Sequence, residues 1–390
     1  MYLRHLHLRQ FRNYRDQQVK FNAAKTILVG DNAQGKSNLL ESVELLSTLK
    51  SHRAIRDRDL ILDGKTAGQI QGTLERQVGN IDLTLTLRSQ GRRTVVVNSE
   101  NLRRHLDFLS ILNVVQFSSL DLDLVRGGPE FRRQWLDRLL VQLEPVYAHI
   151  LQQYNQVLRQ RNALLKKIRQ QNIAAESVGS LYSIPAQELA LWDAQLATTG
   201  ARVIRRRERV LKRLAPLASE WHRAISGSKE VLQMEYLANV TVDSKELIIQ
   251  DSLEGVRQAF LEKIKARAIA EQYQGTTVVG PHRDDVTFTI NDTPARQYGS
   301  QGQQRTLVLA LKLAELQLIE QVVEEPPLLL LDDVLAELDL HRQNQLLEVI
   351  SDRFQTLITT THLGCFDGQW LQDTQILSVH SGEISYFFDF

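Results

Sequence analysis

One cysteine, Cys365, is all the chain has. A single thiol cannot close an internal disulfide, and no Cys/His cluster has zinc spacing, so a disulfide scaffold and a structural zinc site are both excluded. That chemistry fits a reducing, cytoplasmic setting. Long apolar runs are missing as well. No stretch nears the ~20 residues that cross a bilayer, so a membrane role would need a second chain to supply the spanning part. Met1–Leu8 alternates polar and apolar residues, which is a strand pattern and not the continuous apolar core of a signal peptide. An excess of one charge is the third absence. The 47 Lys+Arg against 46 Asp+Glu leave a net charge of +1, so any nucleic-acid surface must be a local patch. What remains is ordinary for a soluble globular protein, 43% hydrophobic and 24% charged. At 390 residues the chain favours two lobes over one core.

The most informative stretch is Gly30-Asp31-Asn32-Ala33-Gln34-Gly35-Lys36-Ser37. It is a G-x-x-x-x-G-K-[ST] pattern, between an apolar strand at Thr26–Val29 and a helix from Asn38. Glycines let backbone N–H groups turn inward into a nest for phosphate oxygens, and the following helix adds its N-terminal donors. Lys36 is placed to reach the β- and γ-phosphates of a nucleotide, and Ser37 to ligate Mg²⁺. This P-loop is shared by many functions and does not identify one.

In chain order, residues 1–21 read as two strands with a turn at Phe11–Tyr14, and His5 and His7 as solvent-facing strand residues. Arg12, Asn13 and Arg15 stand close enough to the loop to contact a nucleotide. The basic run Ser51–Asp59 is either a solvated loop or an anion contact beside the nucleotide. Residues 81–98 form an antiparallel hairpin with one wet face. Ile111–Phe117 is a second buried strand, with Gln116 near its end, where an amide can hold Mg²⁺ or an attacking water. From Pro129 the pattern turns helical, over 130–172 and 184–223, with Pro145 as a kink and 173–183 as a polar tip. Arg159, Arg161, Lys166, Lys167 and Arg169 crowd one limb. Arg202, Arg205, Arg206, Arg207, Arg209, Lys212 and Arg213 crowd the other. So little opposite charge favours a DNA-backbone surface over the solvated outside of a helical hairpin. Residues 231–240 and 247–249 look strand-like, and 252–272 helical.

Near the C-terminus, Ser300-Gln301-Gly302-Gln303 opens an apolar helix, which makes either an anion site or an ordinary capped helix start. Leu328–Leu331 is a fully apolar strand ending in Asp332-Asp333, at the edge where open α/β sheets bind ligands. Asp332 is placed to hold Mg²⁺, and Asp333 to orient or deprotonate a water. His362, after the strand Thr356–Thr361, is either a solvated strand-end histidine or a γ-phosphate contact.

Taken together these parts resemble an ABC-type ATPase head of the kind shared with SMC proteins, and within that group the RecF family of recombination mediators. The narrower marks are Pro129-x-x-Arg132-Arg133-x-x-Leu136-Asp137, Gly280-Pro281-His282-Arg283-Asp284-Asp285 and Gly299–Arg305. The resemblance implies an α/β fold: an ABC-type ATPase head with mixed β-sheets and a P-loop, discontinuous over 1–130 and 273–390. A mostly helical arm domain, 131–272, is inserted in it. It implies ATP and Mg²⁺ as cofactors, a signature at Ser300–Gln303, a switch role for His362, and a cytoplasmic, nucleoid-associated protein. It also implies an ATP-dependent homodimer, in which Ser300 and Gly302 of one chain cap the γ-phosphate held by the other. The implied partners are DNA (duplex, gapped or with single-strand junctions) and the RecR and RecO proteins, with RecA loading as the outcome. Asp333 stands where the wider ABC family has Glu, which fits a slow, DNA-stimulated ATPase acting as a switch. Two rival readings are the ATPase subunit of a membrane transporter, and a scaffold that binds ATP without hydrolysing it.

Overall fold

The computed structural model describes residues 1–178, 186–242, 252–350, 353–364, 366 and 368–386. The strand expected at 247–249, residues 179–183 of the expected tip, and Cys365 lie outside them. Two compact units emerge. One comprises 1–125, 216–232 and 295–390; the other comprises 126–215 and 233–294.

The first unit holds two six-stranded sheets. One runs in the order β15-β14-β3-β13-β12-β8. In it β14 (Thr374–His380), β3 (Lys25–Val29), β13 (Thr356–Thr360), β12 (Leu328–Asp332) and β8 (Val114–Ser118) are parallel, and β15 (Glu383–Tyr386) is antiparallel to β14. A parallel sheet is covered on both faces, so its strands need unbroken apolar runs. Leu328, Leu329, Leu330 and Leu331 are accordingly all buried. The other sheet is antiparallel throughout, in the order β2 (Tyr14–Lys20), β1 (Tyr2–Phe11), β4 (Ala67–Arg76), β5 (Gly79–Arg88), β6 (Thr94–Val97) and β7 (Glu100–Asn101). It contains the expected N-terminal strands, Tyr2–Phe11 and Tyr14–Lys20, and the expected hairpin, Gly79–Arg88 and Thr94–Val97. His7 faces Asp16 across the first pair, with 2.6 Å between Nε2 and Oδ1.

The second unit is mostly helical: Pro129–Leu143, Pro145–Val178, Ala186–Ile225 as far as residue 215, and Leu253–Gln274. Glu144, in extended backbone, breaks the first helix before Pro145, so the expected kink is a full interruption. The unit boundaries depart from the sequence-based ones at 216–232 and 273–294, and side-chain contacts explain both. Trp221 Nε1 donates to Gln317 Oε1 at 2.8 Å within the first unit. Residues 277–285 are held in the second unit by buried arginines.

Those arginines correct the reading of the basic limbs. Arg161 is 1% exposed and donates to Asp193, Thr277 and Glu271. Arg207 is 3% exposed and grips Asp137 with two bonds, of 2.8 and 2.9 Å, plus the Pro281 carbonyl at 2.7 Å. Arg205 pairs with Glu208, and Arg206 with Glu144. A buried guanidinium needs carboxylate partners, and these partners come from distant sequence. Exposed cations remain at Arg159, Lys166, Lys167, Arg169, Arg202, Arg209, Lys212 and Arg213.

The same unit explains two of the family marks. Arg132 binds Asp285 through two bonds, and Arg133 donates to the Asp284 carbonyl. Asp284 is fully buried and accepts from Tyr236 and from the Asn239 N–H. Burial pushes its carboxyl above the ordinary range, against the pull of those bonds and of Arg207. Gly280 adopts φ 128°, and a Cβ there would meet the Phe260 ring at 2.6 Å, so only glycine fits.

Candidate nucleotide site

The P-loop leaves β3 and enters the helix Lys36–Thr48, at the end of the parallel sheet to which all its parallel strands point. Two of its glycines are required by geometry. A Cβ on Gly30 would lie 2.3 Å from the Val379 carbonyl oxygen, and Gly35 adopts φ 122°. Ala33 also adopts a left-handed φ of 65°. Asp31, Asn32 and Ala33 are exposed at the loop's tip. Lys36 is buried with its ammonium inside the loop, donating to the Gly30 and Asp31 carbonyls at 2.8 and 2.9 Å.

Ser37 and Asp332 come together. Ser37 Oγ donates to Asp332 Oδ1 at 2.7 Å, and Thr359 Oγ1 donates to the same oxygen at 2.8 Å. Thr359 also accepts from the Asp333 N–H at 2.9 Å, so one threonine fixes both carboxylate residues. Asp333 sits at φ 54°, a left-handed conformation that aspartate tolerates better than most residues. Burial raises its carboxyl above the ordinary range; Lys36 opposes this and Asp332 adds to it. A raised carboxylate is better matched to accepting a proton near neutrality.

Hydroxyl and carboxylate oxygens are the hard donors Mg²⁺ prefers. Among the described residues no group of three or more His, Cys, Asp or Glu makes a metal cage. The Ser37–Asp332 pair therefore fits an ion that arrives with phosphates and completes its shell with their oxygens.

Gln116 is not at the strand end. It pairs in register with Leu330, and Ser118 is the residue level with Asp332. Its amide Nε2 lies 3.3 Å from His52 Nδ1, and that nitrogen lies 2.6 Å from Glu44 Oε2. Burial works against a charged His52, but Glu44, Glu41 and Asp332 outweigh it and raise the ring's pKa. Within the basic run 51–59, His52 is thus an internal link, whereas Arg53 is exposed and donates to Asn38. His362 is exposed in the turn after β13, its carbonyl accepting from Thr360 Oγ1.

Ser300–Gln303 make a complete capping box at the start of the helix Gln301–Val323. Gln303 N–H donates to Ser300 Oγ at 3.2 Å, and Ser300 N–H donates to Gln303 Oε1 at 2.8 Å. Ser300 and Gln301 are exposed, and a Cβ on Gly302 would stand 3.5 Å from the Arg342 guanidinium, which donates to the Gly302 carbonyl at 3.3 Å. Among the described residues no hydrogen bond joins this turn to the P-loop.

Sequence reasoning missed Thr359 and the brace beneath the loop. Asn13 Nδ2 donates to the Gln34 carbonyl and Tyr14 OH to the Gly35 carbonyl, while the Ser381 N–H donates to Gln34 Oε1. Arg12, expected to contact a nucleotide, is paired with Glu41 at 2.7 and 2.8 Å.

The family described as RecF/RecN/SMC N terminal domain matches residues 2–382. A "DNA replication and repair protein RecF" from Trichodesmium erythraeum is 87% identical over the whole of both chains. One from Nostoc punctiforme is 69% identical over 98% of this chain and 99% of its own. Among solved structures, the recombination mediator protein RecF of the RecFOR pathway, determined with ATP and with ATPrS, superposes with a TM-score of 0.88. Its identity is 30%, over 99% of this chain and 98% of its own. An Smc head domain from Pyrococcus furiosus, at 15% identity and a TM-score of 0.54 over 99% of this chain and 96% of its own, shares the fold. The chain therefore belongs to the RecF family of DNA replication and repair proteins and has the ATPase-head fold that family shares with SMC heads.

Proposed function

We propose that the chain is a DNA-binding ATPase of recombinational repair that closes as a dimer on ATP. The observation that carries this is the joining of Ser37 and Asp332, 295 residues apart, under a P-loop, while the capped turn at Ser300 faces solvent on the same unit. Gly30–Gly35 cradle the phosphates with backbone N–H groups, Lys36 reaches the β- and γ-phosphates, and Ser37 and Asp332 hold Mg²⁺. The bound ion would neutralise phosphate charge. Asp333 takes a proton from water as the water oxygen bonds to the γ-phosphorus and the bond to ADP breaks. Gln116 helps to position that water or the ion, with its amide tied to His52, and His362 senses the γ-phosphate.

One chain holds ATP on its own loop. Ser300 and Gly302 of a second copy, with Gln301 and Gln303 shaping the turn, cap the γ-phosphate. ATP then favours the dimer because it binds the closed state better than separate heads. The exposed arm cations clamp duplex DNA near single-strand gaps, slow hydrolysis releases it, and RecR and RecO cooperate in directing RecA to the gap. The protein thereby serves replication-associated repair and SOS induction in the cytoplasm, at the nucleoid. Single-turnover hydrolysis with and without duplex DNA tests the reading. DNA-stimulated release of phosphate supports it; ATP bound but never cleaved returns the non-hydrolysing scaffold.

A further inference from the structure

Gln303 fixes Ser300 only in one orientation of its amide. With Oε1 toward the Ser300 N–H the capping box closes; turned over, Nε2 would face another donor and the bond would be lost. The amide itself carries little intrinsic preference, since its two ends have the same shape. Its other end is held by Glu230, whose Oε1 accepts from Gln303 Nε2 at 2.9 Å. A carboxylate is an acceptor only, so it selects Nε2 and thereby turns Oε1 toward Ser300. Glu230 follows the end of the helix Ala186–Ile225. Its second oxygen lies 3.6 Å from Nε2 of the fully buried His222. That helix end is itself anchored, with Trp221 bonded to Gln317 and the Ala224 carbonyl accepting from Gln345.

We propose that Glu230 is a positioning residue that selects the Gln303 amide orientation and so holds Ser300 where a nucleotide on a second copy meets it. The inference rests on the reading above that this turn caps ATP in a dimer. It adds a residue outside the motif, one that touches no nucleotide and acts only on closure. Nucleotide affinity of the separate chain is set by residues 30–37 and Asp332 and is untouched by it.

The test is a graded series at one position, read by sedimentation with ATP and Mg²⁺ and, in parallel, by nucleotide affinity at dilutions where the chain is monomeric. E230Q keeps an acceptor for Gln303 and stays within about threefold of wild type in self-association. E230A removes the selector and weakens self-association about tenfold, the scale of one hydrogen bond to a charged group. E230K presents donors only, turns the amide over and weakens self-association further. All three keep wild-type monomer affinity. Q303A removes the same bond from its other end, and E230A/Q303A loses no more than Q303A alone. This cycle still decides the matter if E230K folds poorly. Self-association of E230K equal to wild type, equal loss in E230Q and E230K, or additive losses in the double variant would overturn the proposal. Wild-type chains that stay monomeric with ATP would instead overturn the dimer reading beneath it.

Discussion

Ser37 Oγ donates to Asp332 Oδ1 at 2.7 Å, bringing the start of one helix against the end of a strand 295 residues later. Both groups are Mg²⁺-type oxygen donors. Asp332→Asn should therefore lower ATP affinity in the presence of Mg²⁺ and make it nearly insensitive to EDTA, whereas wild-type affinity falls when the ion is removed. Isothermal titration with and without Mg²⁺ reads this directly.

Lys36 is placed to stabilise charge that develops on the transferred phosphoryl group. Lys36→Arg should keep ATP binding within a few-fold but lower turnover by at least about tenfold, because a planar fork cannot take the place of a compact ammonium among the loop carbonyls. Normal turnover in that variant would remove Lys36 from the assigned role.

The two kinds of arm arginine should separate in experiment. Charge reversal at exposed Arg202, Arg209 and Arg213 should weaken DNA binding and flatten its salt dependence, with a slope smaller by about 2–3 if each meets a phosphate. Arg207→Ala should instead destabilise the unit by about 3–5 kcal/mol, because it leaves Asp137 and the fully buried Asp284 without their cation. Denaturation and salt-titrated DNA binding distinguish the two classes.

His282 lies between Tyr154, at 2.6 Å from Nδ1, and the Thr277 carbonyl, at 3.1 Å from Nε2. Burial, aided by Arg283, Arg133 and Arg161, lowers its pKa from 6.5 to about 4. The unfolded chain then binds a proton below about 6.5 that the folded chain refuses until about 4. Stability should fall as pH drops through that window. His282→Gln should show a flatter dependence between pH 6.5 and 4 in urea denaturation.

How far the sequence could be read depended on whether a feature is local. Residues 30–37 and Leu328–Asp333 were legible because spacing and apolar runs along a few residues dictate a phosphate nest and a buried parallel strand. The Arg161 and Arg207 sites were not. A run of basic residues looks the same whether it faces water or meets Glu271 and Asp137, and those carboxylates sit 110 and 70 residues away. The unit boundary near 216 was hidden for a similar reason, since the continuous helix Ala186–Ile225 shows no break where its packing partners change. Gln116 was assigned to the right strand but one β-repeat off its end, because β8 carries on to Ser118. Thr359 organises both carboxylates through a single hydroxyl, and nothing about a threonine in an apolar strand announces that.

Closure on ATP is the centre of the account, and Ser300→Arg probes it from the other half of the site. A bulky cation at the helix start should block ATP-dependent dimerisation and leave monomer ATP binding intact.

Sedimentation of the wild-type chain with ATP, ADP or no nucleotide, each with and without duplex DNA, tests the claim most directly. A dimer that forms with ATP and Mg²⁺ but not with ADP, and that retains DNA more tightly than the monomer, is the predicted result. A chain whose association state and DNA affinity are the same in all three nucleotide conditions would contradict it.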